Sequence, residues 1–277
     1  MDLIHGVDEL RKRLARERSV ALAPTMGNLH AGHLSLVDLA RGRGDCVVAS
    51  IFVNRLQFEA GGDFDRYPRT LEHDCALLEQ AGCSVVFAPD EREMYPEPQQ
   101  VFVAPPPIGA RLEGEFRPGH FQGVTTVVAK LFNMVRPHAA VFGKKDYQQL
   151  MVIRAMVRQL AFGVDIVAAE TVREADGLAM SSRNGYLSRD ERVEAARLNR
   201  DLRRVKEGVE QDGSDPAAAA SAAQADLAAA GWAVDYVAVR RRVDLEPPGM
   251  VDRELVVLGA ARIGKTRLID NVEILRS

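Results

Sequence analysis

Apolar runs alternate with helical patterns along the first 170 residues of the chain. Continuous apolar runs are typical of strands covered on both faces, and they predict strands at 19–24, 45–53, 83–89, 139–143 and 164–171. Helical spacing predicts helices at the charged N-terminus, from His33 onward, and at 69–82, 124–137 and 146–163. This alternation predicts a parallel sheet with right-handed crossovers, whose ligands bind outside the carboxyl ends of the strands.

The pattern changes from about residue 171. Ser188 and Glu191 fit a capping box that opens a charged helix at 189–210. An alanine-rich helix then starts near Pro216 and ends before Gly231, and short strands follow at 233–240, 253–261 and 266–275. We therefore predict an α/β protein with two domains. A Rossmann-like parallel-sheet domain occupies 1–170, and a smaller α+β domain of two helices and an antiparallel sheet occupies 171–277.

Composition narrows the class of protein. The 277 residues are 47% hydrophobic and 27% charged, with a net charge of −3, so nothing indicates nucleic-acid binding. No apolar stretch approaches the ~20 residues that a membrane span needs, and the N-terminus lacks the apolar segment of a secretory signal. The three cysteines form no C-x-x-C pair and are not a disulfide framework or zinc site; Cys46 and Cys83 are expected in the core. The expected compartment is the cytoplasm.

Residues 24–33 read PTMGNLHAGH and join the first strand to a helix. The ring N–H groups of His30 and His33 can bind phosphate oxygens, and the backbone N–H groups of a helix start favour the same anion. A helix start with two exposed histidines is the alternative. The segment favours a nucleotide-phosphate site at the carboxyl edge of the sheet.

Two further segments carry polar groups near that edge. Asn54 and Gln57 follow the second strand, in IFVNRLQF, and Tyr67 lies in DRYPRT. Amides that satisfy a turn and a core tyrosine are the alternatives. The segment 104–123 is long and aperiodic, as binding loops often are, and its Arg117 and His120 precede a helix where they could face anions or solvent.

FGKKDYQQL, at 142–150, leaves a strand and enters a helix. Lys145 can neutralise phosphate, Asp146 can hold a hydrated Mg²⁺ or cap the helix, and Gln149 lies on the helical face of Asp146. In MSSRNGYLS, at 180–188, the hydroxyls of Ser181 and Ser182 and the guanidinium of Arg183 fit phosphate oxygens. An ordinary polar loop is the alternative for the second segment.

Gly259 to Thr266, GAARIGKT, matches the Walker A pattern but lacks its context. A P-loop must open a helix, whereas the residues after Thr266 are rich in β-formers. We therefore interpret this segment as a hairpin turn.

These motifs resemble those of one family. H-x-G-H is typical of the nucleotidyltransferase superfamily, and the longer string P-T-M-G-x-L-H-x-G-H resembles the pantothenate synthetase family. The segments at 51–58, 65–70, 117–133, 142–150 and 180–188 resemble the same family, as does the TRLIDN that ends at Asn271. Arg55 departs from the pattern, because the family has Pro at that position.

The resemblance implies site residues, and their roles are expectations at this point. The implied catalytic residues are His30, His33, Lys145 and Arg183. The implied ATP-binding residues are Met26, Gly27, Asn28, Leu29, His30, Ala31, Gly32, His33, Gly143, Lys144, Lys145, Asp146, Val172, Met180, Ser181, Ser182 and Arg183. Pantoate and β-alanine are expected at Asn54, Gln57, Tyr67, His120 and Gln149, and Mg²⁺ at Asp146.

The resemblance implies that pantoate is adenylated by ATP and then condensed with β-alanine, which releases AMP and pyrophosphate. It further implies a homodimer and a C-terminal domain that closes over the ATP site. Two other functions remain open: an H-x-G-H adenylyltransferase that acts on a phosphate ester, and a P-loop ATPase or kinase that uses Gly259–Thr266. Gln57 and Gln149 favour a hydroxylated carboxylic acid as the substrate.

Overall fold

The computed structural model describes residues 1–58 and 64–276, and these residues form two compact units. The first unit comprises the described residues of 1–143 together with 149–170. The second comprises 144–148 and the described residues from 171 onward. The short segment Lys144–Gln148 thus packs with the second unit, whereas the sequence division leaves it in the N-terminal domain.

The first unit is built on a six-stranded sheet with strand order β1-β4-β3-β2-β5-β6. Every neighbouring pair is parallel, as the strand–helix alternation predicts. The strands are β1 Asp2–Ile4, β2 Val20–Thr25, β3 Cys46–Ile51, β4 Val85–Phe87, β5 Ala139–Gly143 and β6 Asp165–Ala169. The prediction of a helical N-terminus is wrong for Asp2–Ile4, which pairs with β4 before a helix starts at Val7.

Helices connect these strands: α1 Val7–Leu14, α2 Ala31–Arg41, α3 Leu71–Gln80, α4 Glu91–Met94, α5 Glu113–Phe116, α6 His120–Val135 and α7 Tyr147–Gln159. The longest, α6, begins four residues earlier than the predicted 124 and buries Val124, Val128, Leu131 and Phe132 in the core. The seven consecutive residues 123–129 are buried as well, so α6 is covered on more than one face.

A close approach between α6 and the short 3₁₀ turn Arg55–Gln57 depends on Gly123. A Cβ at Gly123 would lie 2.2 Å from the carbonyl oxygen of Leu56, which no real side chain tolerates. Glycine therefore lets α6 reach the turn that follows β3.

The second unit combines helices with the antiparallel sheet β7-β8-β9. Its elements are α8 Arg189–Glu194, α9 Ala196–Glu210, α10 Pro216–Ala229, β7 Ala233–Arg241, β8 Glu254–Ile263 and β9 Thr266–Leu275. Ser188 and Glu191 form the predicted capping box. The predicted helix 189–210 is two helices that meet at Ala195, a break that helix-forming residues on both sides conceal.

The Walker-like segment lies in the hairpin of β8 and β9, as predicted. Ile263 pairs with Thr266, and Gly264 adopts a left-handed φ of 54° in the turn. Cys46 and Cys83 are buried, as expected. Over 1–58 and 64–276, no helix combines the length and the hydropathy of a membrane span.

Candidate active site

His30 and His33 lie in the first unit where the chain leaves β2 and begins α2, and they cap this helix reciprocally. The Nδ1 atom of His30 accepts a hydrogen bond from the Gly32 N–H at 3.1 Å, and the Nδ1 atom of His33 accepts one from the His30 N–H at 3.3 Å. The ring centroids are 4.1 Å apart. The two imidazoles are therefore held side by side by the backbone.

This arrangement determines which ring nitrogen can donate. A neutral imidazole whose Nδ1 accepts a hydrogen bond carries its proton on Nε2. In its neutral form, each of the two rings therefore carries its N–H on Nε2.

Several backbone donors around this helix start already have partners within the protein. The Gly32 N–H binds the ring of His30, and the His33 N–H binds the His30 carbonyl at 2.8 Å. The N–H groups of Asn28 and Leu29 bind the carboxylate of Asp74 on α3. The imidazoles of His30 and His33 therefore remain the predicted phosphate-binding groups of this segment.

Asn54 is buried, with 1% of its surface exposed, and both polar atoms of its side-chain amide form hydrogen bonds within the protein. Its Nδ2 donates to Gln57 Oε1 and to the Gly123 carbonyl, both at 3.1 Å. Its Oδ1 accepts from the Leu56 N–H and from the Tyr95 hydroxyl at 2.7 Å. These contacts fix the Asn54 side chain beside Gln57, and the role of Asn54 in substrate binding stays a prediction.

The side chain of Gln57 is thereby oriented. Its Oε1 faces Asn54, so its Nε2 donors face the other way, where Nε2 lies 3.0 Å from Met26 Sδ. Two segments that are distant in the sequence, 24–33 and 51–58, therefore meet at one edge of the sheet.

Tyr95 is a residue of this network that the sequence analysis missed. Burial, and after it the nearby carboxylate of Glu91, raises the pKa of the Tyr95 hydroxyl, which keeps it protonated as a donor. Its sequence context, a Tyr-Pro pair after the four-residue helix α4, resembles an ordinary loop.

The side chains of His120 and Arg117 lie next to the 3₁₀ turn that carries Gln57. The His120 Nδ1 lies 3.0 Å from the Gln57 carbonyl oxygen, and Arg117 Nη1 lies 3.2 Å from His120 Nε2. Because the carbonyl only accepts and the guanidinium only donates, His120 fits as the Nδ1–H tautomer. The segment 104–123 thus brings two of its predicted polar residues to Gln57.

Tyr67 is buried and packs edge-on against Phe58, with ring centroids 5.9 Å apart.

Arg55 stands where the family has Pro. Its Nε atom lies 2.9 Å from Glu91 Oε1, and its guanidinium stacks on Phe64, 4.0 Å from the ring centroid. The 3₁₀ turn that carries Gln57 therefore forms without proline. Gln149 is half-buried on α7.

In the second unit, the structure distinguishes the two neighbouring lysines. Lys144 Nζ pairs with Glu273 Oε2 at 3.1 Å, and the Tyr147 hydroxyl donates to Glu273 Oε1 at 3.0 Å. Asn271 Nδ2 binds the carbonyls of both Lys144 and Lys145, at 2.8 and 3.0 Å. The backbone of the motif is therefore fixed, and Lys144 is committed to Glu273.

The ion pair of Lys145 is longer than that of Lys144. Its Nζ lies 3.9 Å from Asp146 Oδ1, and about half of the Asp146 side chain is exposed. This lysine and this carboxylate thus remain the better candidates for a phosphate and its metal ion.

The segment from Val172 to Arg183 folds back on itself within the second unit. The Met180 N–H donates to the Val172 carbonyl at 3.0 Å, which brings these two predicted residues together. Ser181 Oγ accepts from the Arg183 N–H at 3.3 Å and so caps the 3₁₀ helix Ser182–Tyr186. The polar groups of Ser181, Ser182 and Arg183 are therefore held on one ordered turn.

Comparison with known proteins decides the family. The family model for pantoate-beta-alanine ligase matches residues 2–273. The chain belongs to the pantoate–β-alanine ligase family. The resemblance seen in the sequence is thus confirmed.

Relatives of this ligase family match over nearly their whole length. Pantothenate synthetase of Nitrosospira multiformis is 56% identical over 274 residues, covering 99% of this chain and 98% of the relative. A crystal structure of pantothenate synthetase from Thermus thermophilus has 48% identity and a TM-score of 0.95, covering 99% of this chain and 100% of that one.

A third relative was crystallised with ligands. Pantoate-beta-alanine ligase from Francisella tularensis, complexed with beta-gamma ATP and beta-alanine, has 31% identity and a TM-score of 0.82, covering 98% of this chain and 97% of that one.

Proposed function

We propose that this chain condenses pantoate with β-alanine at the expense of ATP, forming pantothenate, AMP and pyrophosphate through a pantoyl-adenylate intermediate. Its family and its full-length relatives support the overall reaction. The observation that carries the site assignment is the meeting of Met26 and Gln57, because it joins the histidine segment to an amide donor at one sheet edge.

In the first step, a carboxylate oxygen of pantoate attacks the α-phosphorus of ATP, and the bond to the bridging oxygen of pyrophosphate breaks. Negative charge accumulates on the leaving pyrophosphate. The Nε2–H groups of His30 and His33 donate to these oxygens, and they are preorganised because the backbone holds both rings. Positioning and charge stabilisation perform the step without a protein nucleophile.

The second unit supplies cationic and hydroxyl groups. We assign Lys145, Ser181, Ser182 and Arg183 to the binding of phosphate oxygens. Asp146 fits a magnesium ion, because Mg²⁺ in nucleotide sites commonly takes one or two carboxylates and completes its shell with phosphate oxygens and water. When bound, the ion would neutralise phosphate charge. The described residues contain no cluster of three or more His, Cys, Asp or Glu side chains that could hold a metal without such help.

In the second step, the β-alanine amine attacks the acyl carbon of the adenylate and AMP leaves. We assign Gln57 and Gln149 to the hydroxyl and carboxyl oxygens of pantoate, since the Gln57 amide presents its donors away from Asn54. Tyr67 forms an apolar wall beside Phe58, and His120 and Arg117 hold the carbonyl of Gln57.

We also propose that the enzyme acts in the cytoplasm as a homodimer. Three free cysteines fit a reducing compartment, and family resemblance supports the dimer. Analytical ultracentrifugation tests the assembly: a single species near twice the 30.4 kDa protomer mass is expected, and a protomer-sized species would contradict it.

An omission assay tests the reaction. ATP, pantoate and β-alanine are left out one at a time while AMP and pyrophosphate are followed. Product AMP should require all three, whereas exchange of labelled pyrophosphate into ATP should require pantoate and not β-alanine. Exchange without pantoate, or turnover with a phosphate ester in place of pantoate, would overturn the proposal.

A further inference from the structure

We propose that Asp74 is a positioning residue for adenylation, which acts by fixing the loop that carries His30 and His33. This inference rests on the function proposed above and adds a residue that none of the sequence motifs includes. Asp74 lies on α3, far along the chain from the histidines, and its side chain is completely buried.

The carboxylate of Asp74 accepts hydrogen bonds from two successive backbone N–H groups of that loop. Oδ2 accepts from the Asn28 N–H at 2.9 Å, and Oδ1 accepts from the Leu29 N–H at 2.8 Å. The Thr70 hydroxyl, one helical turn before Asp74, donates to Oδ2 at 3.0 Å. Both carboxylate oxygens therefore accept hydrogen bonds from groups of the protein. Hydrogen bonds to an ionised acceptor are stronger than those between neutral groups.

The loop needs such an acceptor because of its backbone conformation. Gly27 and Asn28 are both left-handed, with φ values of 81° and 52°. In this turn, the successive N–H groups of Asn28 and Leu29 both point to the side chain of Asp74. A buried backbone N–H needs an acceptor, and Asp74 supplies it. Without it, the N–H of the buried residue Leu29 would lose its partner, at a cost in free energy.

Asp74 is connected to the two histidines through the backbone of Leu29 and a few hydrogen bonds. Leu29 directly precedes His30, whose N–H binds the ring of His33 while its own ring binds the Gly32 N–H. A shift of the loop would therefore move both Nε2–H donors together. A displacement of about 1 Å in a catalytic group can lower a rate about a hundredfold.

The substitution Asp74→Asn separates this role from simple packing. An amide of the same shape has one acceptor oxygen, and its NH₂ group would face an N–H donor of the loop. We expect pantoate-dependent pyrophosphate exchange to fall about a hundredfold. The second half-reaction, from supplied pantoyl adenylate and β-alanine, should stay within about twofold of the wild type, because the histidines are not needed once pyrophosphate has left.

Asp201→Asn is the matched control. Asp201 is also a buried aspartate on a helix, α9, but it belongs to the second unit and pairs with Arg204 on the same helix. Exchange in this control should match the wild type after correction for the folded fraction. An equal loss of both half-reactions in folded Asp74→Asn, or no loss of exchange, would overturn the proposal.

Thr70→Val provides a second test of the proposal if Asp74→Asn does not fold. This variant removes only the hydroxyl bond to Oδ2, and we expect exchange to fall about fivefold, as the loss of one hydrogen bond implies. Wild-type exchange in folded Thr70→Val would contradict the role of Asp74. If the wild type itself lacked pantoate-dependent exchange, the proposed function would fail instead.

Discussion

The two units hold their candidate ligand-binding side chains by different means. In the first unit, hydrogen bonds between uncharged groups orient the imidazoles of His30 and His33 and the amide of Gln57. The buried carboxylate of Asp74 holds the loop that precedes His30. In the second, charged contacts on Glu273 fix the Lys144–Asp146 turn, since Lys144 and Arg242 both pair with that carboxylate. Because Asp74 is completely buried whereas 28% of the Glu273 side chain is exposed, added salt should weaken the contacts of the second unit more than those of the first.

The largest expected effect is that of His33→Ala. Removal of one preorganised donor should lower the rate of adenylation about 10²- to 10³-fold, as measured by pantoate-dependent pyrophosphate exchange. The fold should survive, because the variant loses one helix-capping bond worth about 1 kcal/mol. His73→Ala, at an exposed histidine on α3, is the control and should be neutral. Normal exchange by His33→Ala would remove the histidine from the mechanism.

The adjacent lysines allow a matched comparison in the second unit. Lys145→Ala should lower kcat/KM for ATP about tenfold to a hundredfold, because a phosphate partner is lost. Lys144→Ala should instead lower the free energy of unfolding by about 1.5 kcal/mol, since it breaks the charged hydrogen bond to Glu273. Steady-state kinetics and urea unfolding of both variants test this division, and the reverse pattern would refute it.

Tyr95→Phe examines the uncharged network with a single-atom change. The loss of one hydrogen bond to Asn54 Oδ1 should loosen Gln57 and lower kcat/KM for pantoate about fivefold. The KM for ATP should not change. Tyr236→Phe, on β7, is the control. An equal effect on both substrates would show that Tyr95 supports the fold rather than the orientation of Gln57.

The smallest effect concerns acid stability. Burial by itself would raise the pKa of Glu273, but Lys144, Tyr147 and Arg242 outweigh it and lower the pKa below its ordinary value of 4.5. A carboxylate with a lowered folded pKa stabilises the protein above its unfolded pKa and loses that contribution as the pH falls through the folded value.

We therefore expect the free energy of unfolding to drop as the pH is lowered below 4.5, and Glu273→Gln should reduce that drop. Urea unfolding between about pH 6 and about pH 3 measures it. The same pH dependence in wild type and Glu273→Gln would rule out this carboxylate as a contributor.

The sheet of the first unit was predictable because its central strands are long apolar runs. β1 was not, since Asp2–Ile4 is three residues long and depends on pairing with β4, more than 80 residues later. The break at Ala195 was hidden because helix-forming residues lie on both sides of it.

The candidate site divides in a similar way. Motifs identified His30, His33 and Gln57, because their residue types suit the chemistry. Asp74 and Tyr95 carry no such signal, since each acts through a contact with a residue about 40 or more positions away. Lys144 and Lys145 are identical in type and adjacent, so only the position of Glu273 distinguishes them.

The central claim is that the pantoate carboxylate attacks the α-phosphorus of ATP. Turnover with pantoate labelled with ¹⁸O in its carboxylate tests it most directly, with mass spectrometry of the products. The account predicts one ¹⁸O atom in AMP and none in pyrophosphate. Label retained entirely in pantothenate, or found in pyrophosphate, would contradict it.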